Sequence, residues 1–285
     1  MAAIRSLPLS QGPKPIPTFG LGTFRAEGND CHESCLAALP RPMADNLCRR
    51  EIENEDQVGT SIEAFLAEQT EVTRDDLFIV TKLHWDSHGG DKAVAKVEES
   101  LKKLKLAYVD LFLMHSPKGN KVVETYKGLL EAKARGLIRA LGVSNFGKEQ
   151  LIELLATGVE VPAVNQIELH VWNQQRDLTY FCQQKNIVVM AFCPLARGDK
   201  FGKTRLTAIA ERLGTSEATL CNYWVLKSGF VTIPKSVKPS RITGNLEVLE
   251  IRLSANDVAE LDTLEEAFEC SLAVAAQRIP WSEVA

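Results

Sequence analysis

Two ionisable side chains, Lys82 and His115, each stand at the end of an apolar run, "LFIVTK" and "VDLFLMH". An ammonium group beside a hydroxyl lowers that hydroxyl's pKa, and a neutral imidazole orients a carbonyl by hydrogen bonding, so the pair suits proton-coupled chemistry on a C=O group. Taken singly, each residue reads more simply as part of a solvated rim. Ser144 and Asn145 follow another run in "GVSNF", and Asn165, Gln166 and Glu168 fall in "NQIELH". Their hydroxyl and amide groups can hold a flat carboxamide, although each run also fits ordinary turn chemistry. Phe192, in "AFCPLARG", offers a stacking face and would serve equally well in a core.

A second kind of chemistry lies near the C-terminus. In "IPKSVKPSRITGNLEV", Lys235, Lys238 and Arg241 stand close together beside Ser236 and Ser240. A phosphate there would accept charge-assisted hydrogen bonds, with help from the N-terminus of a helix beginning near Ser240; a solvated basic turn is the bland alternative. The chain as a whole carries a net charge of −4, which offers no general attraction to nucleic acid or to an anionic membrane, so phosphate binding must be local.

The elements that would position these groups form a repeat. Seven short apolar runs, from "TFGLGTF" to "VTIP", are each followed by a segment of helical period. Near-continuous apolar strands with helical crossovers are what a parallel sheet buried on both faces requires. Eight strands close a (β/α)8 TIM barrel, and the missing one falls at about Met43 to Leu47. In such a barrel the strands' C-terminal ends carry the chemistry, which gathers Lys82, His115, Ser144, Asn145, Gln166, Phe192 and the segment after Pro234 at one mouth. The N-terminal "SLPLSQGPKPIPTF" reads as a hairpin closing the opposite end. A doubly wound dinucleotide fold also alternates strands and helices, but "GLGTF" lacks the G-x-G-x-x-G loop that such a fold needs.

Composition fits one domain spanning residues 1–285, with 45% hydrophobic and 25% charged residues. Seven scattered cysteines and no apolar leader suggest thiols in a cytoplasmic protein. "CHESC", Cys31 to Cys35, has no second ligand pair at zinc-site spacing and reads as the start of a helix, so no metal is expected.

Taken in order, "GLGTF", "NEDQVG", "LFIVTKL", "YVDLFLMH", "GLIRALGVSNF", "VNQIELH", "AFCPLARG" and "IPKSVKPSRITGN" resemble the aldo-keto reductase family over about nine tenths of the chain. The resemblance implies a TIM barrel that transfers a hydride from NADPH to an aldehyde or ketone. It implies that Lys82 and His115 belong to the catalytic tetrad, and that Ser144, Asn145 and Gln166 hold the nicotinamide carboxamide while Phe192 stacks on its ring. By the same resemblance Thr23, Pro194 and Leu195 line the cofactor site, and Lys235, Ser236, Arg241 and Asn245 grip the 2′-phosphate and adenine end. Gly244 stands where many members carry an acidic or amide side chain, which implies weaker adenine contacts. The implied partner is a small-molecule carbonyl substrate, with no nucleic acid or membrane, and the implied state is a monomer. Ser116 replaces an aromatic frequent in the family, which implies an open pocket.

The resemblance breaks within "PRPMADNLCRREIENEDQVG". The family pattern there resembles "GYRHIDTAxxYxNE", whose aspartate and tyrosine complete the tetrad. Counting back from Asn54 and Glu55, the tyrosine position holds Ile52 and the aspartate position holds Leu47. Shifting the register to use Asp45 puts Arg50 at the tyrosine position. Three readings stay open: a reductase of impaired activity whose proton comes from elsewhere, His115 included; a catalytically inactive NADPH-binding sensor or partner protein; or a length-preserving frameshift pair across residues 39–53.

Overall fold

The computed structural model describes residues 4–39, 44–46, 54–119 and 121–278, with the backbone alone at 44–46, 272 and 276. A two-stranded antiparallel hairpin comes first: β1 (Ser6–Leu7) pairs with β2 (Ile16–Pro17), Leu7 opposite Ile16. Ile16 is fully buried among the barrel's interior side chains, with Leu7 and Leu9 packed behind it. Gln11, at the hairpin's tip, is buried, and its Oε1 accepts from Leu141 N at 3.1 Å and from Lys133 Nζ at 2.9 Å. The hairpin therefore plugs the base of the barrel, as the sequence suggested.

Eight parallel strands follow: β3 (Gly20–Gly22), β4 (Ala44–Asn46), β5 (Phe78–Leu83), β6 (Val109–Met114), β7 (Ile138–Ser144), β8 (Val164–Glu168), β9 (Val188–Phe192) and β10 (Val231–Thr232). They neighbour one another in chain order, and parallel bridges Phe19 to Thr232 and Gly22 to Lys235 join the last to the first. The barrel is closed. The helices are α1 (Gly28–Ala38), α2 (Glu55–Glu68), α3 (Gly90–Leu104), α4 (Val122–Ala134), α5 (Lys148–Ala156), α6 (Arg176–Gln184), α7 (Arg205–Leu213), α8 (Glu217–Lys227), α9 (Pro239–Gly244) and α10 (Ala255–Asp262). Among the described residues no helix is long and apolar enough to cross a membrane.

The strand missing from the apolar pattern is β4. It lies between β3 and β5, with Asn46 opposite Gly22 on one side and Val80 on the other. Three residues there do the work of the six in β5, so the barrel closes through a short strand where the charged, proline-bearing block offers little apolar material.

Strand alternation separates two cores. Phe78, Val80, Leu111, Leu113, Val164, Met190 and Val231 fill the barrel, whereas Ile79, Phe112, Leu141, Ile167 and Val189 pack outward against the helices. Cys31 and Cys35 face that outer core from α1, and His32 Nδ1 lies 2.9 Å from Ser61 Oγ on α2, so "CHESC" is helix packing.

After α10 the chain returns across the mouth in a 3-10 turn, Leu272–Arg278, seated on the start of α5. A Cβ at Gly147 would collide with the Gln277 carbonyl. Gly147→Ala is therefore expected to lift this segment and destabilise the protein by about 1–3 kcal/mol, read as a lower urea midpoint. An unchanged midpoint would show that the segment contributes nothing to stability.

Candidate active site

The interior alternation aims the site. Phe78 and Val80 point into the barrel, so Lys82, two residues on, points into its mouth from the same face of β5. His115 follows β6; its backbone N–H donates to Leu83 O at 2.9 Å, which holds the two strand ends together, and its ring is buried. Next around the mouth, Asn145 takes a left-handed φ of 62° at the end of β7 and turns its side chain back. Asn145 Nδ2 donates to His115 O at 2.9 Å and to Ser144 Oγ at 3.2 Å, and Ser144 Oγ donates to Gln166 O at 2.9 Å. One hydrogen-bonded row thus fixes the ends of β6, β7 and β8. Phe192, half-buried, closes the row at the end of β9.

The basic segment lies across the same opening. Gly22 N donates to Pro234 O at 3.0 Å, and a Cβ on Gly22 would stand 2.9 Å from Ile233 O, so only glycine allows this approach of β3 to the segment after β10. Lys235 is thereby paired with Gly22, at the rim. Its ammonium is pushed below the ordinary lysine range, chiefly by burial and further by Arg25, with Asp30 opposing.

These groups line a single cleft of about 950 Å³. Lys82, His115, Ser144, Asn145, Gln166 and Phe192 occupy its barrel end. Lys235, Ser236, Arg241 and Asn245 line the other end from the segment after β10, and Thr23, Pro194 and Leu195 line it from the loops after β3 and β9. Asn165 and Glu168, grouped with Gln166 in the sequence, do not line it. Asn165 points to the helix side, where its Nδ2 donates to Phe146 O at 2.8 Å, as a neighbour of Gln166 must. Glu168 is fully buried under the C-terminal segment, and Lys238 stands outside the cleft wall.

Asn145 carries an unsatisfied oxygen into the cleft wall. Asn145 Oδ1 is buried and meets no donor among the described residues. A buried acceptor left in this state is costly, and an amide N–H2 group entering the cleft would satisfy it. The donor set at the other end, an ammonium, a guanidinium and a hydroxyl, is what a phosphate monoester requires. Both ends therefore fit a nicotinamide dinucleotide.

The aldo/keto reductase family profile matches residues 49–266. The glyoxal reductase of Bacillus subtilis is 36% identical over 252 residues, covering 88% of this chain and 90% of its own. The methylglyoxal reductase of Escherichia coli is 36% identical over 256 residues, with 88% and 90% covered. The chain belongs to the aldo/keto reductase family. Among solved structures, an aldo-keto reductase of the silkworm Bombyx mori in complex with NADP superposes with a TM-score of 0.82 at 28% identity, covering 97% of this chain and 98% of that one. Membership makes this chain an oxidoreductase with the family's barrel, and a nicotinamide cofactor is the one its cleft is built for.

The family match begins at residue 49, inside the unfamiliar block. Leu47 and Ile52, which the ungapped count from Asn54 and Glu55 puts at the family's aspartate and tyrosine positions, lie outside the described residues. The two residues that follow the block have an unexpected use. Asn54 is buried, and its Nδ2 donates to Thr23 O at 3.1 Å and to Ala26 O at 2.9 Å, pinning the loop after β3 at the cleft. Glu55 accepts from Thr81 Oγ1 at 2.8 Å, tying α2 to the strand that carries Lys82, and burial raises its pKa above the ordinary carboxylate range. The "NE" pair is thus a brace for the site. Sequence reading also missed Cys193 and Arg197, which line the cleft from within the "AFCPLARG" run.

Trp85 stands beside His115, the two ring centroids 5.8 Å apart. Ser116 is buried and accepts from Lys118 N at 3.2 Å, so it shapes the loop after β6, and Trp85 supplies the aromatic surface next to His115.

Proposed function

We propose that this chain binds NADPH and reduces small aldehydes and ketones, α-dicarbonyls such as methylglyoxal among them, at a rate lowered by Leu47 and Ile52. The observation that carries the reading is the convergence of one amide-binding and one phosphate-binding set on a single cleft, with Asn145 Oδ1 awaiting a donor. The names of the Bacillus and Escherichia relatives support the choice of dicarbonyl.

In this reading Asn145 and Gln166 orient the carboxamide, Phe192 stacks on the ring, and Lys235, Ser236 and Arg241 hold the 2′-phosphate. When bound, the reduced nicotinamide supplies the hydride. His115 donates a hydrogen bond to the substrate oxygen, polarising the carbonyl, and the nearby Lys82 ammonium stabilises the negative charge that develops on that oxygen. The product alkoxide then takes its proton from the His115 imidazole. A dedicated general acid contributes about 10²- to 10⁴-fold, and losing it lowers the rate by that order without removing the cofactor site. We place the protein in the cytoplasm as a monomer.

The test is a slow, methylglyoxal-dependent oxidation of NADPH that disappears in His115→Ala while NADPH binding stays within about threefold of the parent, the substitution being remote from the phosphate set. Tight NADPH binding with no turnover in the parent chain would instead establish a cofactor-holding protein. An unchanged rate in His115→Ala would remove His115 from the chemistry.

A further inference from the structure

Two thiols meet at the rim of the cleft. Cys193 takes a left-handed φ of 49° directly after Phe192, and it lines the cleft. Phe192 is paired with Glu168 in the register of β8 and β9. Cys270, on the returning C-terminal segment, donates its backbone N–H to Glu168 Oε1 at 2.7 Å, which fastens that segment onto the end of β8. The side chains of Cys193 and Cys270 act on one another, and the Arg197 guanidinium, also in the cleft lining, acts on Cys193. Both cysteines are only half-buried, whereas Cys31, Cys35, Cys182 and Cys221 are buried.

Their environments push the two thiols apart. Cys270 and, less strongly, Arg197 lower the Cys193 thiol below the ordinary range against the effect of burial. Cys270 is raised by the neighbouring Cys193, by burial and by the Glu168 carboxylate. Cys193 lines the cleft with Arg197 and Cys270 does not, so a small molecule in the cleft meets Cys193 first. Burial pushes Cys182 up to about 12, with Asn165 opposing, and burial with Glu217 raises Cys221 as well, so these sulfurs are poor nucleophiles.

We propose that Cys193 is a peroxide-reactive thiol and Cys270 its resolving partner, the two closing an intramolecular disulfide when hydrogen peroxide or a small hydroperoxide enters the cleft. The Cys193 sulfur attacks one peroxide oxygen, the O–O bond breaks, and hydroxide leaves and is protonated to water, giving a sulfenic acid. Cys270 loses its proton and attacks that sulfur; the S–O bond breaks, and the departing hydroxide takes the proton as a second water. Two thiols are oxidised by two electrons and one peroxide is reduced. A divalent cation is the competing use of this cluster, since Glu168, His170 and Cys270 place ligand atoms within 4.8 Å of one another. Glu168 Oε1, however, already accepts from Cys270 N and lies 3.2 Å from His170 Nε2, so the carboxylate is engaged in holding the segment.

The test uses the full chain, treated with equimolar hydrogen peroxide, alkylated and digested without reductant for peptide mass analysis. The expected result is a Cys193–Cys270 linked peptide as the dominant oxidised product, reversed by dithiothreitol. In Cys270→Ser the Cys193 sulfenic acid accumulates and is trapped by dimedone, and in Cys193→Ser peroxide consumption at this dose is lost. Oxidation confined to other cysteines, unchanged peroxide consumption in Cys193→Ser, or stoichiometric zinc in the purified chain that Cys270→Ser releases would each overturn the proposal.

Discussion

Replacing residues 39–53 by a segment of the family pattern, with aspartate at position 47 and tyrosine at position 52, is expected to raise kcat/KM for methylglyoxal by about 10²- to 10⁴-fold, the usual value of a positioned general acid. The frame for that acid exists. Lys82 points into the mouth from β5, His115 is fixed by its bond to Leu83 O, and Asn54 and Glu55 brace the flank on which the new segment would end. A phenol delivered beside the Lys82 ammonium would have its pKa lowered and its proton made available. NADPH affinity should stay within about threefold, because the residues assigned to the cofactor lie outside the exchanged segment. A folded chimera that binds NADPH and gains no activity would show that Lys82 and His115 are not arranged for this chemistry.

Removing the phosphate set should separate the two nicotinamide dinucleotides. In Lys235→Met with Arg241→Ala, NADPH affinity is expected to fall about 100-fold or more, while NADH affinity changes by less than about threefold. Hydrogen bonds to charged groups contribute about 1.5–3 kcal/mol each, and both side chains line the cleft from the segment after β10. The loss should shrink as salt is raised, since the exposed Lys235 and Arg241 are within reach of solvent ions. Equal losses for NADPH and NADH would mean that the two side chains support the fold and do not read the 2′-phosphate.

The barrel was legible in the sequence because buried parallel strands leave continuous apolar runs, and all seven such runs became strands. The eighth, β4, was legible only by counting: its three residues sit in a charged block with no apolar signature, and the need to close the barrel located it. Helix α8 was not seen, because Leu220, Cys221, Asn222, Trp224 and Val225 are all buried and the segment lacks a polar face to give it a helical period. At the site, side chains that face one mouth follow from strand-end position, which is how Lys82, Gln166 and Phe192 were found. The brace formed by Asn54 could not be read in this way, since its partners, Thr23 O and Ala26 O, are backbone groups about thirty residues away. The Cys193 and Cys270 pair was hidden for the same reason, one thiol lying on a strand end and the other on a returning segment.

The central claim is that the cleft holds NADPH beside a carbonyl site whose acid is incomplete. A fluorescence titration with NADPH, followed by methylglyoxal in the same cuvette, tests it most directly. The account predicts binding at micromolar concentration and then slow consumption of NADPH, orders of magnitude below the rate of the chimera. Failure to bind NADPH, or turnover in the parent chain as fast as in the chimera, would contradict it.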